Sequence, residues 1–165
     1  MEELNKKTKL TIGLLRIALG WIFIWAFFDK LLGLGFSTAF DKSWMSGYSP
    51  TYDFLSLGTS GVFSSFYKIL AGNIFIDWLF MLGLLLIGLS LIIGIGVKIA
   101  SYSGSLLMIL MWSANIPPKT NPLIDYHIIF LLLLILFSFS NAGRYLGLGK
   151  KWSQAYLIKK YKILE

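Results

Sequence analysis

LTIGLLRIALGWIFIWAFF, residues 10–28, is the stretch whose reading decides the fold. Nineteen residues pass with one ionisable side chain, Arg16. Hydrocarbon is about 30 Å thick and a helix rises about 1.5 Å per residue, so about 20 apolar residues cross it. An Arg at a span's centre costs roughly 2.5–3.5 kcal/mol to insert, and each Leu, Ile or Phe returns about 0.3–0.6. Eleven such residues in this run offset Arg16. Three more apolar runs follow, 74–95, 99–112 and 124–139, the last two long enough once their weakly polar flanks to Asn115 and Ser140 are counted. The sequence predicts an all-α membrane protein: a four-helix transmembrane bundle, one domain over 1–165, with spans at about 10–30, 74–96, 99–115 and 122–140.

Composition agrees. Hydrophobic residues make up 56% and charged residues 14%, against about 25% charged in a soluble domain. Cysteine is absent, which excludes thiol–disulfide chemistry, iron–sulfur clusters and cysteine zinc sites. A single histidine, His127, excludes bis-histidine haem ligation within one copy. No metal, haem or iron–sulfur cluster is expected. The net charge of +7 lies at the flanks of apolar runs, where it marks membrane topology rather than nucleic acid.

Four spans place both termini and the 96–98 turn on one face. That face holds Lys6, Lys7, Lys9, Lys98, Arg144, Lys150, Lys151, Lys159, Lys160 and Lys162; the other holds Lys30, Lys42, Lys68 and Lys119. By the positive-inside rule the termini are cytoplasmic and the protein is a multi-pass protein of the plasma membrane. The basic start followed by apolar residues resembles a signal peptide, but the run is long and lacks a small-x-small site, so it reads as a retained span.

Residues 37–73 form the long outer connection. Val62, Phe63, Phe66, Tyr67 and Leu70 are spaced as one helical stripe, with Ser60 as expected N-cap and Gly72-Asn73 as stop. This predicts a short amphipathic outer helix between spans 1 and 2, lying on the bundle mouth. Pro117-Pro118 stiffens the second outer connection, and Asn121-Pro122 is expected to cap and open the fourth helix. Past Asn141-Ala142-Gly143, residues 152–164 mix aromatics with lysines as an interfacial anchor does.

Charges inside spans are the functional candidates. Arg16 shares a stripe with Gly13, Gly20, Phe23, Phe27 and Lys30. Either it snorkels to cytoplasmic headgroups, or it is buried in a polar network with Ser138, Ser140 or Asn141. At the outer end, Asp29-Lys30, Asp77, Trp112-Ser113-Ala114-Asn115, Asp125 and His127 reach similar depth. They form either an outer-leaflet polar pocket or separate structural pairs. Asp125, in a helical first turn, suits the macrodipole. Two residues apart on a helix is about 200°, so Asp125 and His127 are not expected to face one ligand squarely.

A family resemblance sits on these residues. Leu14-Leu15-Arg16-Ile17-Ala18-Leu19-Gly20-Trp21 with Phe28-Asp29-Lys30-Leu31 resembles the opening of DoxX/DoxD-type membrane proteins. Gly47-Tyr48-Ser49-Pro50-Thr51, Thr59-Ser60-Gly61-Val62-Phe63 and Leu70-Ala71-Gly72-Asn73 with Asp77-Trp78-Leu79-Phe80-Met81 resemble the DoxD branch. So do Asn121-Pro122, Asp125-Tyr126-His127-Ile128-Ile129 and Asn141-Ala142-Gly143-Arg144-Tyr145-Leu146-Gly147-Leu148-Gly149. Val62 departs from the pattern, where proline often follows the Ser-Gly pair. The resemblance covers nearly the whole chain.

It implies the membrane subunit of a thiosulfate:quinone oxidoreductase, partnered by a DoxA-like small subunit. Two thiosulfates would join as tetrathionate and quinone would accept the electrons. Lys30, His127 and backbone N–H groups around Thr59, Ser60 and Gly61 would meet the anion. Trp25, Phe27, Phe28, Trp78 and Trp112 would line a quinone slot. Asp77, Asp125 and His127 would serve catalysis by carrying protons. The alternatives are a non-catalytic subunit or assembly partner of a terminal quinol oxidase, and an ion or proton transporter. No proline interrupts any of the four runs, which disfavours transport. Homo-oligomers are compatible with each reading.

Overall fold

The computed structural model describes residues 5–118 and 121–164; Lys119, counted on the outer face, lies outside them. Asn5 opens the first helix, its Oδ1 accepting Thr8 N–H at 2.8 Å. That helix, α1 (Lys6–Leu32), ends where Gly33 N–H bonds Asp29 O. It extends four residues before and two beyond the predicted span. After a short helix α2 (Ser64–Ile69) come α3 (Ile74–Ile93), α4 (Val97–Ser113) and α5 (Tyr126–Phe139). The tail carries α6 (Gly149–Trp152) and α7 (Tyr156–Lys160).

By length and composition α1 and α3 are able to cross a membrane, whereas α4 and α5 are shorter apolar helices. α1 packs chiefly on α3, and α4 chiefly on α5, with α3 against α4 closing the core. Close approach is set by small residues: a Cβ at Gly88 would meet Ile24 Cγ1 at 2.7 Å, and one at Gly20 would meet Leu91 Cβ at 2.9 Å. Leu19, Phe23, Met81, Leu84, Leu91, Leu134 and Phe137 fill the centre. Leu10, Trp21, Leu79, Leu86, Leu132 and other large apolar side chains point outward.

The outer connection corrects two expectations. Ser60 does not cap a helix. Ser60-Gly61 forms a strand, β1, that pairs in parallel with β2, Asn115-Ile116, and Ser60 N–H bonds Ala114 O at 3.0 Å. Gly61 has φ +81°, and a Cβ there would lie 1.7 Å from Ile116 O, so only glycine fits. α2 starts after Phe63 instead. Of its expected stripe, Tyr67 is buried, its hydroxyl bonding Leu110 O at 3.0 Å and Ser113 Oγ at 2.5 Å, and Leu70 packs beneath it. Val62, Phe63 and Phe66 are exposed.

Asn121-Pro122 does not open α5. Asn121 Oδ1 accepts Leu123 and Ile124 N–H at 3.0 and 3.1 Å, a local turn that keeps the chain non-helical. The cap is Asp125, extended at φ −126°.

Candidate functional site

Arg16 is fully buried about 15 Å along α1. The expected partners Ser138, Ser140 and Asn141 are not the ones it uses. One guanidinium nitrogen donates to Leu91 O and to Ile92 O (3.2 Å), and the other to Tyr145 O and Leu146 O at 3.0 and 3.1 Å. A helix leaves its last four carbonyls without intrahelical partners. Gly94 N–H takes Ser90 O, Arg16 takes Leu91 O and Ile92 O, and Leu148 N–H takes Ile93 O. α3 is thereby fully capped, with a cation at its negative dipole end. Asn141, at φ +52°, turns the chain so that residues 145–146 reach the guanidinium. Ser138 and Ser140 are too far from that fork in bonding terms: their hydroxyls have no protein partner among the described residues.

At the other end, the outer connection is pinned to two buried carboxylates. Asp29, on the last turn of α1, accepts Phe36 N–H (3.2 Å), Ser37 N–H (2.9 Å) and Ser37 Oγ–H (2.6 Å). Asp77, near the start of α3, accepts Ser49 and Thr51 hydroxyls on one oxygen at 2.8 and 2.5 Å. Between these pins Asp53 binds Lys42 Nζ at 2.7 Å and Tyr48 OH at 2.5 Å. The Lys42 hydrogen bond, followed by that of Tyr48, holds the Asp53 carboxyl below the usual carboxylate range; the Lys30 charge adds to it. Lys30 is half-buried, and its charge acts on Asp53 in this segment.

Asp125 and His127 do pair, contrary to the helical spacing argument. Because Asp125 sits outside the helix, Oδ1 accepts the His127 backbone N–H at 3.0 Å and Oδ2 reaches Nδ1 at 2.7 Å. His127 lies on the inward stripe of α5 with Leu134 and Phe137, and Asp77 on that of α3 with Met81 and Leu84. Among the described residues no hydrogen bond joins Asp77, Lys30 and His127: Asp77 holds Ser49 and Thr51, and His127 holds Asp125.

The aromatic candidates divide. Trp25 meets Phe36 edge-on at 5.0 Å and Trp21 at 6.0 Å. With Ile22, Ala26, Asp29 and Ser37 these rings wall an open groove of about 410 Å³ on the outer half of α1. Trp78 instead packs on Trp44 at 4.6 Å, and Trp112 Nε1 donates to Leu123 O at 3.1 Å. Neither lines the groove. Ser60 and Gly61 are occupied by strand pairing, so Ser60 N–H is not free to hold an anion. Sequence reasoning placed Asp29 at this depth without giving it a role, and missed Ser37. Their signal was a carboxylate at the end of a span, followed within eight residues by a serine in a glycine-rich turn. Comparison with family models, with curated proteins and with solved structures gives no match.

Proposed function

We propose that the chain crosses the plasma membrane four times, termini inside, and works as a DoxD-like membrane subunit of a thiosulfate:quinone oxidoreductase. The observation that carries this reading is the groove beside α1. Its walls are aromatic and aliphatic, its volume of about 410 Å³ suits a ring-sized ligand, and its polar end is Asp29 with Ser37. A ligand entering it comes from the lipid side, because Trp21 and Ile22 are outward residues of α1. A membrane quinone has that chemistry: a flat apolar ring with oxygens that accept hydrogen bonds.

Span number and orientation rest on α4 and α5 completing a bundle with α1 and α3, and on ten Lys/Arg against four. In the reaction two thiosulfates lose two electrons and join as tetrathionate; quinone takes the electrons with two protons. Asp77 and the Asp125–His127 pair are the ionisable groups at that depth from which protons are drawn. A DoxA-like small subunit is the expected partner on the outer side, where the connection 37–58 presents Lys42, Tyr48 and Asp53.

Quinone titration tests the groove. Added quinone should quench tryptophan fluorescence, and Trp25→Ala should abolish the saturable part while raising the quinone KM at least tenfold. Unchanged quenching and KM in Trp25→Ala would remove the groove from the reaction.

A further inference from the structure

His127 is the single histidine of the chain. Its Nδ1 lies 2.7 Å from Asp125 Oδ2. An ionised carboxylate only accepts, so Nδ1 carries hydrogen and Nε2 is the nitrogen left to exchange. Nε2 is buried and has no protein hydrogen-bond partner among the described residues. A buried acceptor without a partner is destabilising, and such an atom in a native fold calls for an explanation.

The surroundings narrow that use. The outer half of α4, residues 106–113, carries no ionisable side chain. α1 brings Asp29 and Lys30 to this end and α3 brings Asp77; both carboxylates are already held by hydroxyl and N–H donors. Next to it in sequence are the cap residue Asp125 and Tyr126, whose ring lies 4.1 Å from the imidazole. With Nε2 bare the pair bears one buried negative charge. With Nε2 protonated it is a neutral imidazolium–carboxylate pair, reached without moving a heavy atom. Asp125 keeps 10% of its side chain exposed, so the pair is not sealed on every side.

We propose that the Asp125–His127 pair is a proton-exchange site at the outer end of the bundle, taking and giving its proton at Nε2. In quinone reduction it supplies one of the two protons consumed: Nε2–H leaves as H⁺, Asp125 stays a carboxylate, and outer water reloads the ring. That destination rests on the oxidoreductase reading; exchange at Nε2 does not.

One histidine makes the test direct. The full chain, labelled with ring-15N histidine and held in lipid, gives two nitrogen signals to follow as the pH of the outer water is varied. Nδ1 should stay protonated throughout, and Nε2 should gain its proton at the acid end and lose it reversibly at the other. Asp125→Asn, which turns the acceptor into an amide, should let the neutral ring divide between both tautomers. An Nε2 signal that does not change with pH, or a bare Nδ1 in the unaltered chain, overturns the proposal. Neither reading needs turnover, so a failure here is separable from a failure of thiosulfate-dependent quinone reduction.

Discussion

Arg16 has no carboxylate partner among the described residues and is held by backbone carbonyls. Arg16 spreads its charge over carbonyl oxygens from two chain segments, and only a planar fork reaches both. Arg16→Lys keeps the charge but has one nitrogen. It should lose on the order of 3 kcal/mol, or roughly 10 °C in Tm, since bonds to charged groups are worth about 1.5–3 kcal/mol each. An unchanged melting temperature would mean the bonds to residues 91–92 or 145–146 are not stabilising. Asp77 answers a different question. Asn offers the same oxygen to Ser49 and Thr51, so Asp77→Asn should leave stability nearly intact while lowering quinone reduction tenfold or more, about 1.4 kcal/mol in barrier. A lower Tm with full activity per folded molecule would make Asp77 purely structural. Which residues deserved such attention was legible in the sequence: a buried charge in an apolar run announces itself. Their partners were not. Arg16 is bound by backbone carbonyls, which every residue carries, so no side-chain pattern points to them.

At the scale of elements, the length of the apolar runs located the four long helices, and the ends escaped it. α5 starts at Tyr126 because Asn121 spends its side chain on a local turn, leaving Asp125 to cap; the dipeptide Asn-Pro fits either role. β1 was invisible because two paired residues leave no alternation to read. Its steric demand is nonetheless sharp. Gly61→Ala should destabilise the outer connection by at least about 1–2 kcal/mol from the left-handed backbone alone, with the clash on Ile116 O added. Limited proteolysis of residues 54–63 measures it; an unaltered digestion rate would contradict the pairing. The same connection is pH-sensitive. Asp53 is held below the usual carboxylate range, so its contribution is present above the ordinary carboxylate pKa and is lost as pH falls through the lower folded value. Acid should therefore loosen residues 41–53 first, and Asp53→Asn should remove that step. The pair is exposed, so the effect is local.

For the molecule as a whole, the helical architecture follows from four apolar runs, and the proposed orientation rests on the charge asymmetry. Ser56→Cys in this cysteine-free chain tests orientation: a membrane-impermeant thiol reagent added outside should label it, and labelling solely from the cytoplasm would invert the topology. Function is less legible than fold, because the groove joins residues 21–26 to residues 36–37 across a turn with no regular period. Electron transfer from thiosulfate to quinone is directly measurable. The purified chain in lipid, alone and with a candidate small subunit, should reduce a soluble quinone when thiosulfate is added, forming tetrathionate in equal moles to quinol. Quinone that stays oxidised under both conditions, with the protein folded, would contradict the account.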